Sequence, residues 1–155
     1  MTLRIVPLGG LGEIGMNCLA IEQPDGILVV DAGITFPHQD LGVDVYHPDF
    51  SWLDQHADRV VGVFLTHGHE DHVGALPYLL EHLDVPVFGP PHALAMAKRR
   101  LVEHDFASHD LDLHEVRAGS LTRVGPFEVE AIRVSHSIVE ASALCIETAE
   151  GFVVH

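Results

Sequence analysis

Four side chains able to ligate a metal fall within six consecutive residues: His67, His69, Asp71 and His72 in the run Thr66-His67-Gly68-His69-Glu70-Asp71-His72. Imidazole nitrogens and carboxylate oxygens are ligands suited to zinc, and catalytic zinc keeps one coordination position open for water. In an extended segment His67 and His69 project to the same side and can grip one ion. A turn after them lets the adjacent Asp71 and His72 face a second ion. Gly68 removes the side chain between the first two ligands and permits a tight bend. Glu70 reads either as a group that hydrogen-bonds a ligand or as an exposed carboxylate. The alternative for the whole run is a histidine-rich surface loop, for which 13 histidines provide material. Solubility does not explain why four ligands gather at one junction of a strand with a helix. His38, His47, His56, His82, His92, His104, His109 and His114 read as surface residues. His136 differs, because it follows a strand end that would deliver a ligand from a distance.

These residues need rigid elements on either side of them. The run 60–65 is apolar and β-rich, as a central strand buried on both faces would be. A helix is predicted to start near 74–77, where Pro77 suits a first turn, and to continue through Leu83. Strands are predicted over 3–6, 18–22 and 27–30, the last two joined through Asp25-Gly26, a strong hairpin signal. A long loop is expected from Asp31 to about Phe50. Residues 85–88 read as a short strand, and 93–104 as a helix with Leu94, Ala97, Leu101 and Val102 on one face. Lys98-Arg99-Arg100 reads as its solvated side. Strands follow over 111–116, 121–124, 127–134, 143–148 and 151–154. The order of elements describes an α/β layered domain.

The chain has 155 residues, enough for one domain with a real core, and 47% of them are hydrophobic, which excludes a disordered chain. No apolar run approaches the roughly 20 residues needed to cross a bilayer, and no signal peptide is recognisable. Cys18 and Cys145 lie far apart and read as reduced, small apolar strand residues, as expected of a cytoplasmic protein. Lys and Arg total 8 against 23 Asp and Glu, a net charge of −15. A nucleic-acid surface is normally basic, so this balance speaks against a polyanionic substrate, and bound metal would reverse the sign only locally. The chain stops at His155 inside an apolar strand without a polar tail, which suggests a piece of a longer protein.

His67-Gly68-His69-Glu70-Asp71-His72 resembles the HxHxDH signature of the metallo-β-lactamase superfamily. Asp31, before Ala32-Gly33, is similar to that superfamily's first, structural motif, and His136 to its third. Within it the chain looks most like the bacterial ribonuclease J group of β-CASP enzymes. The residues that carry this likeness are 7–15 with Asn17, Phe36-Pro37, Gly42-Val43-Asp44, Pro48-Asp49, 64–78 and His136-Ser137-Ile138, so it spans essentially the whole chain. Departures are Val139-Glu140, where those enzymes have Pro-Asp, and Met16, where lysine is common.

The resemblance implies an αββα sandwich, of which residues 1–155 would form the N-terminal part, without the β-CASP insert and C-terminal portions. It implies two zinc ions per complete site, with manganese or magnesium as substitutes. His67, His69 and His136 would hold the first ion, Asp71 and His72 the second, and further ligands would lie beyond His155. Asp71 and His72 would be catalytic, with Asp71 also orienting a metal-activated hydroxide that attacks phosphorus. Asp31, Gly9, Gly10, Gly12 and Asn17 would shape or support the site mouth, with Glu70 and Ser137 touching a ligand or the substrate. The activity implied is 5′-to-3′ exonucleolytic and endonucleolytic cleavage of RNA, in a cytoplasmic homo-oligomer without membrane attachment. Three rivals stand beside it. Gly10-Leu11-Gly12-Glu13-Ile14-Gly15 satisfies a dinucleotide-binding pattern, but that needs a helix within the glycines, and the sequence continues into a strand and hairpin. A thioester, lactone or β-lactam substrate would suit the same fold and the negative charge. The isolated 155 residues would also fit a noncatalytic chain that binds one metal and self-associates through an unpaired edge and an uncovered face.

Overall fold

A computed structural model describes residues 2–37 and 42–155. His38, read above as a surface residue, and part of the loop before Phe50 lie outside them. Among the described residues, ten strands form two sheets. In the first, β1 (Arg4–Gly9), β2 (Cys18–Gln23) and β3 (Gly26–Val30) pair antiparallel. Then β4 (Val60–Phe64), β5 (Val87–Gly89) and β6 (Leu113–Glu115) continue in parallel beside β3. The second is antiparallel, in the order β10 (Gly151–Val154), β9 (Ser142–Thr148), β8 (Phe127–Arg133) and β7 (Leu121–Val124). Its register sets Glu128 opposite Glu147 and Glu130 opposite Cys145.

Alternation along the strands of the first sheet feeds two cores. Ile27 and Val29 of β3 and Val63 of β4 pack toward the helices, with Leu76, Leu79, Leu94, Ala97 and Leu101. Leu28, Val30 and Phe64 face the second sheet and meet Phe127, Val129, Leu144 and Ile146. The β4 strand is central and buried, as its apolar run predicts. The result is a layer of helices, a mixed sheet and a second sheet. Among the described residues, no helix is long and apolar enough to cross a membrane.

The helices are α1 (Ser51–Asp54), α2 (Glu70–Val73), α3 (Leu76–Leu80) and α4 (Pro91–Glu103), with a 3-10 turn at Ala57–Arg59. The helix predicted from 74–77 through Leu83 is α3, which stops at Leu80, and a separate short helix, α2, precedes it at Glu70–Val73. The backbone explains the break. The Asp71 carbonyl accepts from Asn17 N at 3.1 Å, and Ala75 N donates to the Ala32 carbonyl at 2.8 Å, so neither extends α2. Pro77 has no N–H with which to continue the ladder. On α4, Leu94, Ala97 and Leu101 are buried as predicted, but Val102 is 48% exposed, because it lies about 100° around the helix from Leu101. Arg100, read as part of a solvated run, instead turns its guanidinium toward Glu70 at 3.3 Å. The glycine-rich segment after β1 leads into β2 and not a helix, which removes the dinucleotide-binding reading.

Candidate metal centre

Strand β4 ends in the middle of its sheet, and the chain leaves it as Thr66, His67, Gly68 and His69 before α2 begins. The loop between β8 and β9 brings His136 over the same point. One nitrogen from each of His67, His69 and His136 lies within 4.8 Å of the others. His67 Nε2 and His69 Nδ1 are 3.0 Å apart, and the His136 ring stands edge-on to His67 at a centroid distance of 4.7 Å. Tetrahedral zinc with ligands at about 2.1 Å separates neighbouring ligand atoms by roughly 3.4 Å. The three imidazoles fit such an ion in chemistry, and the His67–His69 pair fits it in spacing. Burial, with the neighbouring His72 second, pushes the His67 pKa down to about 4, so its ring is neutral and offers a lone pair at neutral pH.

Which nitrogen is free follows from hydrogen bonds behind the rings. Asp31 is 1% exposed and stands just past β3 with a φ of 60°, a conformation Asp tolerates better than most residues. Its Oδ1 accepts from Thr66 N at 2.7 Å. Its Oδ2 accepts from Thr66 Oγ1 at 2.7 Å and from His72 Nδ1 at 2.7 Å. The Thr66 hydroxyl has spent its proton on Asp31, so toward His67 Nδ1, 2.9 Å away, it acts as acceptor. One carboxylate thereby holds the protons of both rings on Nδ1 and turns both Nε2 lone pairs outward. Burial opposes a charge on His72, but the hydrogen bond and charge of Asp31, with Asp71 behind them, raise its pKa overall.

His72 and Asp71 sit together on α2, with His72 Nε2 3.7 Å from Asp71 Oδ2. Two ligands of one zinc ion span such a gap. The His72 ring centroid is 4.0 Å from that of His67, so the two ligand groups adjoin. Asn17 reaches the same pair: its Nδ2 donates to the Asp71 carbonyl at 3.0 Å and to Asp71 Oδ2 at 3.2 Å, and lies 3.2 Å from His72 Nε2. Gly9, Gly10, Asn17, Asp31 and His72 all border a cavity of about 220 Å³ beside the metal-binding run. Gly12 stands clear of it with a φ of +75° and nothing packed against its α-carbon face. Ser137 is exposed on the His136 loop. The Glu70 side chain meets Arg100 of α4, and its backbone carbonyl accepts from Ile34 N at 3.1 Å.

Three residues the sequence did not single out support this arrangement. Thr66 connects Asp31 to His67, as above. Gly33 lies so close to α2 that a Cβ there would fall 1.6 Å from the Asp71 carbonyl oxygen. Glu140, at the departure Val139-Glu140, accepts from His92 N at 2.8 Å through Oε2 and so ties the His136 loop to the start of α4. The signal for Thr66 was its position between an apolar strand and a histidine. Gly33 and Glu140 gave none, since each acts through a contact distant in sequence.

The metallo-beta-lactamase superfamily model matches residues 11–141, most of the chain. The chain belongs to this superfamily. Its metallo-beta-lactamase fold is shared with a protein of unknown function from Enterococcus faecalis V583, at a TM-score of 0.68 and 19% identity over 98% of this chain and 42% of that one. The metallo-beta-lactamase fold protein YhfI from Bacillus subtilis gives a TM-score of 0.66 at 17% identity, covering 99% of this chain and 62% of that one. In sequence the chain is 43% identical to ribonuclease J of Helicobacter pylori over 99% of its length, and 41% identical to ribonuclease J of Synechocystis, also over 99%. It spans 22% and 24% of the length of those two relatives. The superfamily is one of hydrolases built around metal ions, and this chain carries a matching histidine cluster.

Proposed function

We propose that these 155 residues are the N-terminal part of the catalytic domain of a zinc-dependent ribonuclease that hydrolyses RNA phosphodiester bonds, exonucleolytically from the 5′ end and also internally. The observation that carries this reading is the convergence of His67, His69 and His136, within 4.8 Å, in a chain 43% identical to a ribonuclease J. Zinc, when bound, supplies Lewis acidity that brings the deprotonation of water toward neutral pH and offsets charge on the phosphoryl oxygens. The chain's own part is to prepare for this. Asp31 and Thr66 keep the imidazoles in the ligating tautomer, and the buried His67 stays neutral. Asp71 presents a carboxylate that would ligate the ion and orient the attacking water by accepting a hydrogen bond from it. His72 and Asp71 are the second-position ligands in this reading, completed by groups outside these 155 residues, and the isolated chain is expected to lack turnover. The two free cysteines, Cys18 buried in β2 and Cys145 in β9, agree with a cytoplasmic protein. The intact protein is expected to act as a homo-oligomer, with manganese or magnesium able to replace zinc.

The test is degradation of 5′-monophosphorylated RNA by the intact protein with zinc or manganese, beside a His67→Ala, His69→Ala double variant. Turnover by the wild type alone supports the reading, and RNA left intact by both overturns it. For the isolated chain, zinc analysis is expected to find about one ion, lost in the double variant.

A second reading keeps the metal centre and replaces RNA with a thioester, lactone or β-lactam. The net charge of −15 favours it, since such substrates need no basic groove. Hydrolysis of a generic ester by intact protein that leaves RNA untouched would select it.

A further inference from the structure

The glycine-rich segment and the second ligand pair meet at one side chain, Asn17. His72 has its proton on Nδ1, bonded to Asp31, so Nε2 offers a single in-plane lone pair. The Asn17 amide nitrogen donates one hydrogen to the Asp71 carbonyl at 3.0 Å; its other hydrogen is shared between that Nε2 and Asp71 Oδ2, each 3.2 Å away and themselves 3.7 Å apart. The amide therefore holds one partially positive hydrogen against both atoms that a second ion needs. We propose that Asn17 is a latch on the second metal position: its amide shares a hydrogen between His72 and Asp71 and must release both before an ion binds there. This inference rests on the reading that Asp71 and His72 are metal ligands.

Two further observations show that the latch is built into the fold. Asn17 is anchored by its backbone, with N donating to the Asp71 carbonyl at 3.1 Å and its carbonyl accepting from Gly33 N at 3.0 Å. The side chain can then let go while the main chain stays in place. Gly10, with a φ of +84°, leaves room for the amide: a Cβ there would stand 2.8 Å from Asn17 Oδ1. A larger residue at position 10 would push the side chain off its partners. The consequence is ordered loading. No amide blocks the three-histidine position, so it fills first. The Asp71–His72 position fills second and more weakly, because binding there breaks the hydrogen bond that the amide shares between His72 and the Asp71 carboxylate.

Calorimetric titration of the intact protein, stripped of metal, with zinc tests this, using the wild type, Asn17→Ala and Asn17→Asp. The variants keep the backbone bonds of residue 17, and circular dichroism checks that they fold. In the wild type one zinc binds tightly and a second at least about ten-fold more weakly. Asn17→Ala is expected to strengthen the second event about ten-fold and leave the first within about two-fold. Asn17→Asp replaces the competing donor with an acceptor and is expected to strengthen the second event at least as much. A second event unchanged, weakened or undetectable in both folded variants, with the first intact, overturns the latch alone. A wild type that takes up no zinc removes the metal-centre reading, and the latch with it.

Discussion

At the scale of single residues, the centre depends on a carboxylate that stands behind the candidate ligands. Asp31 accepts three hydrogen bonds from two residues of the metal-binding run, and it is almost completely buried. Replacing it with Ala strands the Thr66 N–H, the Thr66 hydroxyl and His72 Nδ1 in the interior. Each buried polar group left unpaired costs about 1–3 kcal/mol, so a loss of about 3 kcal/mol is expected in denaturant unfolding. Zinc affinity should fall by roughly 10- to 100-fold, as for other groups that orient a ligand from behind. Thr66→Val separates the two histidines more finely. It removes the hydroxyl that accepts from His67 and leaves the Asp31–His72 bond in place. Zinc binding should weaken by about ten-fold for a stability cost of about 1 kcal/mol. Equal losses in stability and no change in zinc affinity would mean that the hydroxyl only fills space.

At the scale of elements, the site lies where three segments cross, and the sequence showed those segments unequally. The strand at 60–65, the hairpin through Asp25-Gly26 and the burial of Leu94, Ala97 and Leu101 were legible, because local periodicity and turn chemistry decide them. The clustering of His67 with His69 followed from their spacing, but the arrival of His136 depends on a loop whose anchor is far away. The separate short helix α2 ahead of the predicted one was not legible. It arises from bonds between α2 and residues 17 and 32, which no local pattern encodes. Glu140 was obscured in the same way. Its carboxylate caps the start of α4, where negative charge is favoured, at 2.8 Å from His92 N. Glu140→Ala is expected to cost about 1 kcal/mol in thermal or denaturant unfolding and to weaken the first zinc by loosening the His136 loop. An unchanged zinc affinity would show that the loop holds its shape without that anchor. A second tie binds β2 to the turn before β4: Arg59 holds Glu22 at 2.6 Å, and Arg4 adds a contact at 2.8 Å. The hydrogen bond from Arg59, with the nearby positive charges, keeps the Glu22 carboxyl below its usual range. Its contribution is therefore full above the unfolded carboxylate value of about 4.3 and is lost as the pH falls through the folded value. Arg59→Met should cost about 1 to 2 kcal/mol near pH 7, and the gap to the wild type should shrink as unfolding is measured toward pH 3.

At the scale of the whole molecule, the second sheet has one face against the first sheet and one toward solvent. Phe127, Val129, Leu144 and Ile146 go inward. The opposite face shows Leu121 at 65% exposed, Ile132 at 41%, Phe152 at 69% and Val154 at 72%. These apolar side chains are interleaved with Glu128, Glu130 and Glu147. The register sets Glu128 opposite Glu147, and Phe152 opposite Glu147 on the other side. Apolar exposure favours association, and β10 presents an edge as well. The carboxylates and a net charge of −15 oppose it through repulsion between copies. The two effects differ in their response to salt. Repulsion is screened over about 10 Å at 0.1 M and about 3 Å at 1 M, whereas burial of apolar surface is not weakened. Light scattering on the 155-residue chain should therefore show little association at about 0.05 M salt and clear self-association at about 0.5 M. Phe152→Lys with Val154→Lys removes two of these four exposed apolar side chains and should leave a monomer at both. A wild type that stays monodisperse throughout would mean that the carboxylates break the face into patches too small to bind. Association at both salt concentrations that survives the lysine pair would place the contact elsewhere, with the free edge of β10 as the next segment to alter.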